Sequence, residues 1–155
     1  MKITLIAVGK TKEKYLQDGV EEYVKRLTRF ATFDIVVVPE GKTTDSAVGK
    51  QKEGEAILAK IEKNDYVVLL DERGKQFTSE KFAGYIDTKA ALGTKTLVFV
   101  IGGAFGFTDK VYERANEKIA LSEMTFSHQM IRLFFTEQLY RAYTIIKGHP
   151  YHNEG

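Results

Sequence analysis

The chain has 155 residues, 43% hydrophobic and 28% charged, the proportions of a folded chain of one-domain size rather than a disordered one. It contains no cysteine, which excludes a disulfide scaffold, a thiolate metal site and a cysteine nucleophile together. The formal net charge is only +2, so any nucleic-acid surface must be local rather than spread over the whole molecule.

Residues 3–8 form a short apolar run that leads into Lys10, Lys12 and Lys14. A signal peptide needs a longer apolar segment and a small-residue cleavage site, so this reads as the first strand of a cytoplasmic protein. Val20, Tyr23, Val24 and Leu27 then share one helical stripe, which Phe30 continues. Residues 33–38 are a second, β-branched run, ended by Pro39. Residues 47–61 have helical period, with Ile57, Leu58 and Ile61 on one side and Lys and Glu on the other. A third strand covers 66–70 and is expected to stop at Asp71. Ser79 reads as the N-cap of a helix containing Phe82, Tyr85 and Ile86, and Gly93 closes it as C′. Residues 96–101 are a fourth strand, ending at Gly102 and Gly103. Thr108 and Asp109 open a short helix, and a short strand lies near 119–121. The last helix runs from about 128 to 147, with Ile131, Phe134, Phe135, Leu139, Tyr143 and Ile146 spaced by threes and fours until Gly148 and Pro150 stop it. Strands apolar on both faces, alternating with helices, predict an open parallel α/β sheet with helices on both faces, in a single domain over 1–155. No run approaches the ~20 apolar residues of a membrane span.

In such a sheet a ligand sits beyond the carboxyl ends of the strands, where residues 70–74, 101–107 and 121–128 form loops. Glycines there let main-chain groups approach a flat base, with Leu70 and Met124 placed to sandwich it. Neither the phosphate-loop nor the dinucleotide glycine pattern is present. That favours a nucleoside cofactor without phosphates, of which S-adenosylmethionine is the commonest. Taken alone, Gly102-Gly103-x-x-Gly106 fits a tight, ligand-free turn better than a binding loop. Ser122 and Ser127 lack the setting of a nucleophile. His128 is either a locally bonded residue at a helix start or a functional one. His149 and His152 stand three apart, but Pro150 breaks helical geometry between them and nothing completes a metal site, so no metal is expected. Arg141 is either the i, i+4 partner of Glu137 or a functional cation.

The run Leu121-Ser122-Glu123-Met124-Thr125-Phe126-Ser127-His128-Gln129-Met130-Ile131-Arg132, then Glu137-Gln138-Leu139-Tyr140-Arg141-Ala142, then His149-Pro150-Tyr151-His152, resembles the carboxyl-terminal signature of the RlmH family of SPOUT-class methyltransferases. Gly102-Gly103-x-x-Gly106 and the amino-terminal strand match as well, so the resemblance covers essentially the whole chain and is weakest over 39–63. Many relatives have Pro where this chain has Ser127. The resemblance implies a deep trefoil knot at the carboxyl end, a homodimer packed through the knot region and the last helix, and S-adenosylmethionine as cofactor. It implies methylation at N3 of a pseudouridine in a stem-loop of 23S rRNA, on the assembled ribosome. Carried over by position, the cofactor contacts are Leu70, Gly102, Leu121, Ser122, Glu123, Met124, Thr125 and Phe126. Tyr151 and His152 become candidates for holding the base or taking its imide proton, and Arg141 for phosphate or developing negative charge, with Arg132 and His128 second. A homodimer could lay the tail of one chain over the cofactor of the other. Two readings stand beside this one: a SPOUT-class tRNA methyltransferase, and a ribosome-binding module that never turns over.

Overall fold

The computed structural model describes residues 1–154, so Gly155, the end of the expected domain, lies outside the described residues. The elements follow in the order β1 (Lys2–Val8), α1 (Lys14–Leu27), β2 (Thr32–Val38), α2 (Ser46–Leu58), β3 (Tyr66–Gln76), α3 (Ser79–Ala91), β4 (Thr96–Ile101), α4 (Asp109–Arg114), β5 (Glu117–Ala120), α5 (Met130–Ile146) and α6 (Tyr151–Glu154). The five strands form one sheet in the order β2-β1-β4-β3-β5, every pair parallel. The period of two along each strand divides the core. Ile3, Leu5, Leu97, Phe99 and Ile101 meet Leu27, Phe82, Ile86, Phe135 and Leu139 from α1, α3 and α5. On the other face Ile6, Val8, Val98 and Val100 meet Ile57 of α2 and Val111 of α4. The expected α/β sheet with helices on both faces is therefore the fold. No helix of the described residues is long and apolar enough to cross a membrane.

The structure differs from the sequence expectation at several joints. β3 does not stop at Asp71 but continues to Gln76, and Ile119 of β5 is paired first with Leu70 and again with Lys75. Residues 71–74 are thereby pushed out of the ladder and toward the strand ends. Gly74 lets the two backbones meet, since a Cβ there would lie 2.6 Å from the Ile119 nitrogen. α2 ends at Leu58, and its buried residues are Gly49, Glu53, Gly54 and Ile57, so one of the glutamates assigned to the solvent side is in the interior. Thr78, not Ser79, is the N-cap of α3: its hydroxyl accepts the Lys81 N–H at 3.2 Å. Ser79 opens the helix and donates to Gln138 Oε1 at 2.8 Å. Phe30 lies past the end of α1 and packs on Tyr140 and Tyr143, with ring centres 6.0 and 6.5 Å away. Gly93 and Gly148 close α3 and α5 with φ of +83° and +67°.

Candidate functional site

The bulged part of β3 after Leu70 and the carboxyl ends of β4 and β5 open on a cleft of about 670 Å³. That is the size of a small-molecule site. Leu70, Gly102, Leu121, Ser122, Met124, Thr125 and Phe126 all border it, while the exposed side chain of Glu123 does not. Ile101, Phe107, Ile119 and Ile131 give it apolar walls. Gly106 turns the loop after β4 at φ +80°, a conformation that other residues adopt only under strain. The loop after β5 is held by its own hydroxyls. Ser122 Oγ accepts the Met124 N–H at 3.0 Å, and Ser127 Oγ accepts the Met130 N–H at 3.0 Å. Ser127 thus caps the start of α5, a role proline could not fill with a side chain. Thr125 donates to Glu72 Oε2 at 2.6 Å, tying this loop to the bulged part of β3.

Arg73 is the one Lys or Arg among the residues described as bordering the cleft. The Asp71 carboxylate accepts from the Tyr112 hydroxyl at 2.5 Å and the Arg73 main chain at 2.9 Å. The Arg73 guanidinium lies 5.2 Å from the Tyr112 ring centre and also reaches its hydroxyl. Partial burial pushes the Asp71 carboxyl up, but the hydrogen bonds from Tyr112 and Arg73 outweigh it and hold the group below its ordinary value. Burial, then Asp71, keeps Tyr112 a phenol. Apolar walls, open main chain and a single, already paired arginine suit an uncharged nucleoside better than a polyphosphate. Sequence reasoning missed this trio. Asp71 and Arg73 were visible only as a charged interruption after an apolar run, and nothing local placed Tyr112 beside them.

His128 also borders the cleft, and burial, reinforced by the charge of Arg132, lowers its pKa. Arg132 itself is 2% exposed. It donates to the Val8 carbonyl at 2.6 Å, the Gly9 carbonyl at 2.7 Å, Thr11 Oγ1 at 3.2 Å and the His128 carbonyl at 3.1 Å. All of its donors face protein, so it fastens the end of β1 to the start of α5. Gln129 adds to this joint, donating to the Lys10 carbonyl at 3.1 Å and accepting the Lys12 N–H at 2.9 Å.

Arg141, Tyr151 and His152 are brought together, but apart from the residues that border the cleft in the same chain. Glu137 Oε1 accepts from Arg141 Nη2 at 2.7 Å and from the Tyr151 hydroxyl at 2.9 Å. The Tyr23 and Tyr151 hydroxyls are 3.2 Å apart. Arg141 Nη1 donates to His152 Nδ1 at 3.1 Å; because arginine has no lone pair to offer, the neutral imidazole carries its proton on Nε2 and donates it to Glu80 Oε1 at 2.8 Å. Burial, with Tyr23 and Glu137, raises the Tyr151 pKa, so its phenol stays protonated in this arrangement. His149 turns back on the main chain, its Nδ1 accepting the Tyr151 N–H at 3.3 Å. Among the described residues no group of His, Asp and Glu is assembled to hold a metal ion.

A family model described as "Predicted SPOUT methyltransferase" matches residues 1–152. The chain is 52% identical over 156 residues to the "Ribosomal RNA large subunit methyltransferase H" of Christiangramia forsetii, covering 99% of each chain. It is 53% identical over 157 residues to the protein of the same name from Bacteroides thetaiotaomicron, covering 99% of this chain and 100% of the relative. The counterpart in Clostridium beijerinckii is 51% identical over 158 residues, covering 98% of this chain and 99% of the relative.

Proposed function

The chain belongs to the SPOUT methyltransferase family, and we propose that it methylates N3 of a pseudouridine in 23S rRNA on the assembled ribosome, using S-adenosylmethionine. It is an rRNA methyltransferase, as its full-length relatives are named. The observation that carries the finer reading is the cleft. Residues 101–107 and 121–128, whose loops bear the family resemblance, converge there with residues 70–73, in the place where an open parallel sheet binds ligands. The residues fit the cofactor: glycines leave main-chain groups open to an adenine edge, and Leu70, Leu121 and Met124 offer apolar surface to its faces. Leu70, Gly102, Leu121, Ser122, Met124, Thr125 and Phe126 hold it in this reading, and Glu123 contributes its main chain alone.

The cofactor supplies a methyl group on a sulfonium sulfur, ready for in-line displacement, so the protein's task is alignment. N3 of the base carries an imide proton that has to leave. Arg141 serves a phosphate or the charge that develops on the base, and Tyr151 and His152 hold the base or take its proton; Tyr151, kept a phenol, holds, and His152 accepts only once its Nδ1 is released from Arg141. The tail stands apart from its own cleft, which favours a homodimer in which it reaches the cleft of the second copy. Phe126 and Phe134, 37% and 38% exposed with ring centres 5.0 Å apart, offer apolar surface for such a contact beside the cleft. The trefoil knot at the carboxyl end, the single domain over 1–155 and a cytoplasmic location, where ribosomes are, belong to the same reading.

The test is methyl transfer from labelled S-adenosylmethionine to 70S ribosomes, separated subunits, free rRNA and tRNA, with primer extension locating the mark. Label on a pseudouridine of 23S rRNA in 70S particles is expected. Label confined to tRNA would overturn the substrate and keep the cofactor, and label nowhere, with no cofactor binding, would leave a ribosome-binding module. Wild-type turnover from a chain carrying both Tyr151→Ala and His152→Ala would remove the tail from the reaction.

A further inference from the structure

α2 carries a carboxylate where a helix packed on a sheet needs an apolar side chain. Gly49, Glu53 and Ile57 are spaced four apart on its buried face, and Glu53 is 2% exposed. Its Oε2 accepts the Gly41 N–H at 3.0 Å. Its Oε1 has no partner, and it is the one buried side-chain oxygen or nitrogen among the described residues in that condition. An unpaired lone pair of a buried carboxylate is costly, and a position that keeps one calls for a reason.

The neighbour of Oε1 is the loop of the proposed cofactor cleft. A Cβ added to Gly103 would lie 2.6 Å from Oε1, so the loop rests on the carboxylate with only a missing side chain between them. The seam continues on either side. A Cβ on Gly49 would meet the Phe105 ring at 2.5 Å, and one on Gly54 would meet Thr108 Oγ1 at 2.8 Å. Two glycines therefore press α2 against the segment 102–108, and Glu53 is the polar group between them. That segment is fastened internally by the Gly106 N–H to the Gly103 carbonyl at 3.1 Å.

We infer that Glu53 is a positioning residue for the cofactor cleft, its free oxygen taking a main-chain N–H of residues 103–105 when a nucleoside cofactor settles against the loop. The inference rests on the cleft being the S-adenosylmethionine site. Filling the cleft and satisfying the carboxylate are then one event, so the ligand selects the loop conformation in which Oε1 is paired. Glu53 touches neither cofactor nor RNA and acts only through the loop.

Glu53→Gln separates this from a plain structural brace. The amide keeps an oxygen for the Gly41 N–H and sets an NH₂ where Oε1 stands, so the acceptor is removed while the packing stays. The expected result is a cofactor-free Tm equal to or above wild type. The Kd for S-adenosylmethionine, by calorimetry, should rise about tenfold. The cofactor KM should rise with it, while kcat at saturating cofactor changes little. A wild-type Kd in the variant overturns the inference, and so does a loss of Tm with no change in Kd. Should Glu53→Gln fail to fold, hydrogen exchange of the Ala104 and Phe105 amides in the wild-type protein reads the same event. Slower exchange on adding cofactor supports it, and unchanged exchange overturns it. Wild-type protein that binds no S-adenosylmethionine defeats the cofactor reading itself, and the inference falls with it.

Discussion

Four oxygen acceptors surround the Arg132 guanidinium, three of them main-chain carbonyls at the joint between β1 and α5. Arg132→Met fills much of the volume but strands those carbonyls in the interior. It is expected to lower the unfolding free energy by roughly 2–4 kcal/mol in urea titrations, with Arg132→Lys recovering only part because an ammonium cannot span the fork. A loss under about 1 kcal/mol would mean water takes over the carbonyls. Sequence alone left Arg132 among the candidates for substrate charge, since nothing in a pattern of residues separates a buried clamp from an exposed one. His128 shows the same limit. Its burial and the nearby Arg132 charge hold the folded imidazole below the usual value of about 6.5. On acidification the unfolded chain binds that proton first, so this group's contribution to stability is complete above pH ~6.5 and is lost as pH falls through that value toward the lower folded midpoint. An imidazole NMR titration should give a His128 midpoint under 6.5. A midpoint at or above it would deny the burial.

Legibility among the elements followed how local their causes are. β4 was read at its observed limits, 96–101, because an apolar run buried on both faces and ended by two glycines needs nothing from elsewhere. The start of α4 at Asp109 was legible for a similar reason, with Thr108 capping the Val111 N–H at 3.3 Å. β3 beyond Asp71 was not legible, because polar residues there are extended by main-chain pairing to β5 that no side-chain pattern records. The buried face of α2 was hidden too, since its close contacts are made by glycines and a glutamate rather than by an apolar stripe. Glycine substitutions test both kinds of position. At Gly74 the obstruction is β5 backbone, 2.6 Å from the added Cβ, and backbone in a ladder cannot step aside. Gly74→Ala should therefore cost roughly 1–3 kcal/mol and loosen the charged bulge over the cleft. Gly84 lies inside α3 with nothing within 4 Å of an added Cβ, so Gly84→Ala should gain up to about 1 kcal/mol from helix propensity. Thermal unfolding of the two variants should move in opposite directions, and equal shifts would contradict the contact at Gly74.

At the scale of the molecule, one polar centre borders the cleft and another lies in the tail. The tail centre links Glu80 of α3, Arg141 and Glu137 of α5, His152 and Tyr151 of α6 and Tyr23 of α1. The order of elements through α5 was legible from the sequence, while the short α6 after Pro150 was not; the knot and the dimer entered only through the resemblance, because no local pattern encodes how a chain threads or what a second copy covers. If the tail serves the reaction in the cleft of the other copy, each active site of a dimer draws on both chains. That composite arrangement has a consequence that a self-contained site lacks. A chain with Gly102→Leu has its cleft obstructed, since even a Cβ there approaches the Phe107 ring at 3.1 Å, yet keeps an intact tail. A chain with Arg141→Ala, Tyr151→Ala and His152→Ala keeps its cleft and loses the tail. Each homodimer should be inactive on ribosomes. Co-refolded in equal amounts, half the dimers are mixed, and each mixed dimer pairs one intact cleft with one intact tail, so activity should return to about a quarter of wild type. Recovery of that size requires the tail to act across the interface. No recovery, with mixed dimers confirmed by mass, means that each chain must bring its own tail to its own cleft, and that α6 has to leave the Glu137 network to get there.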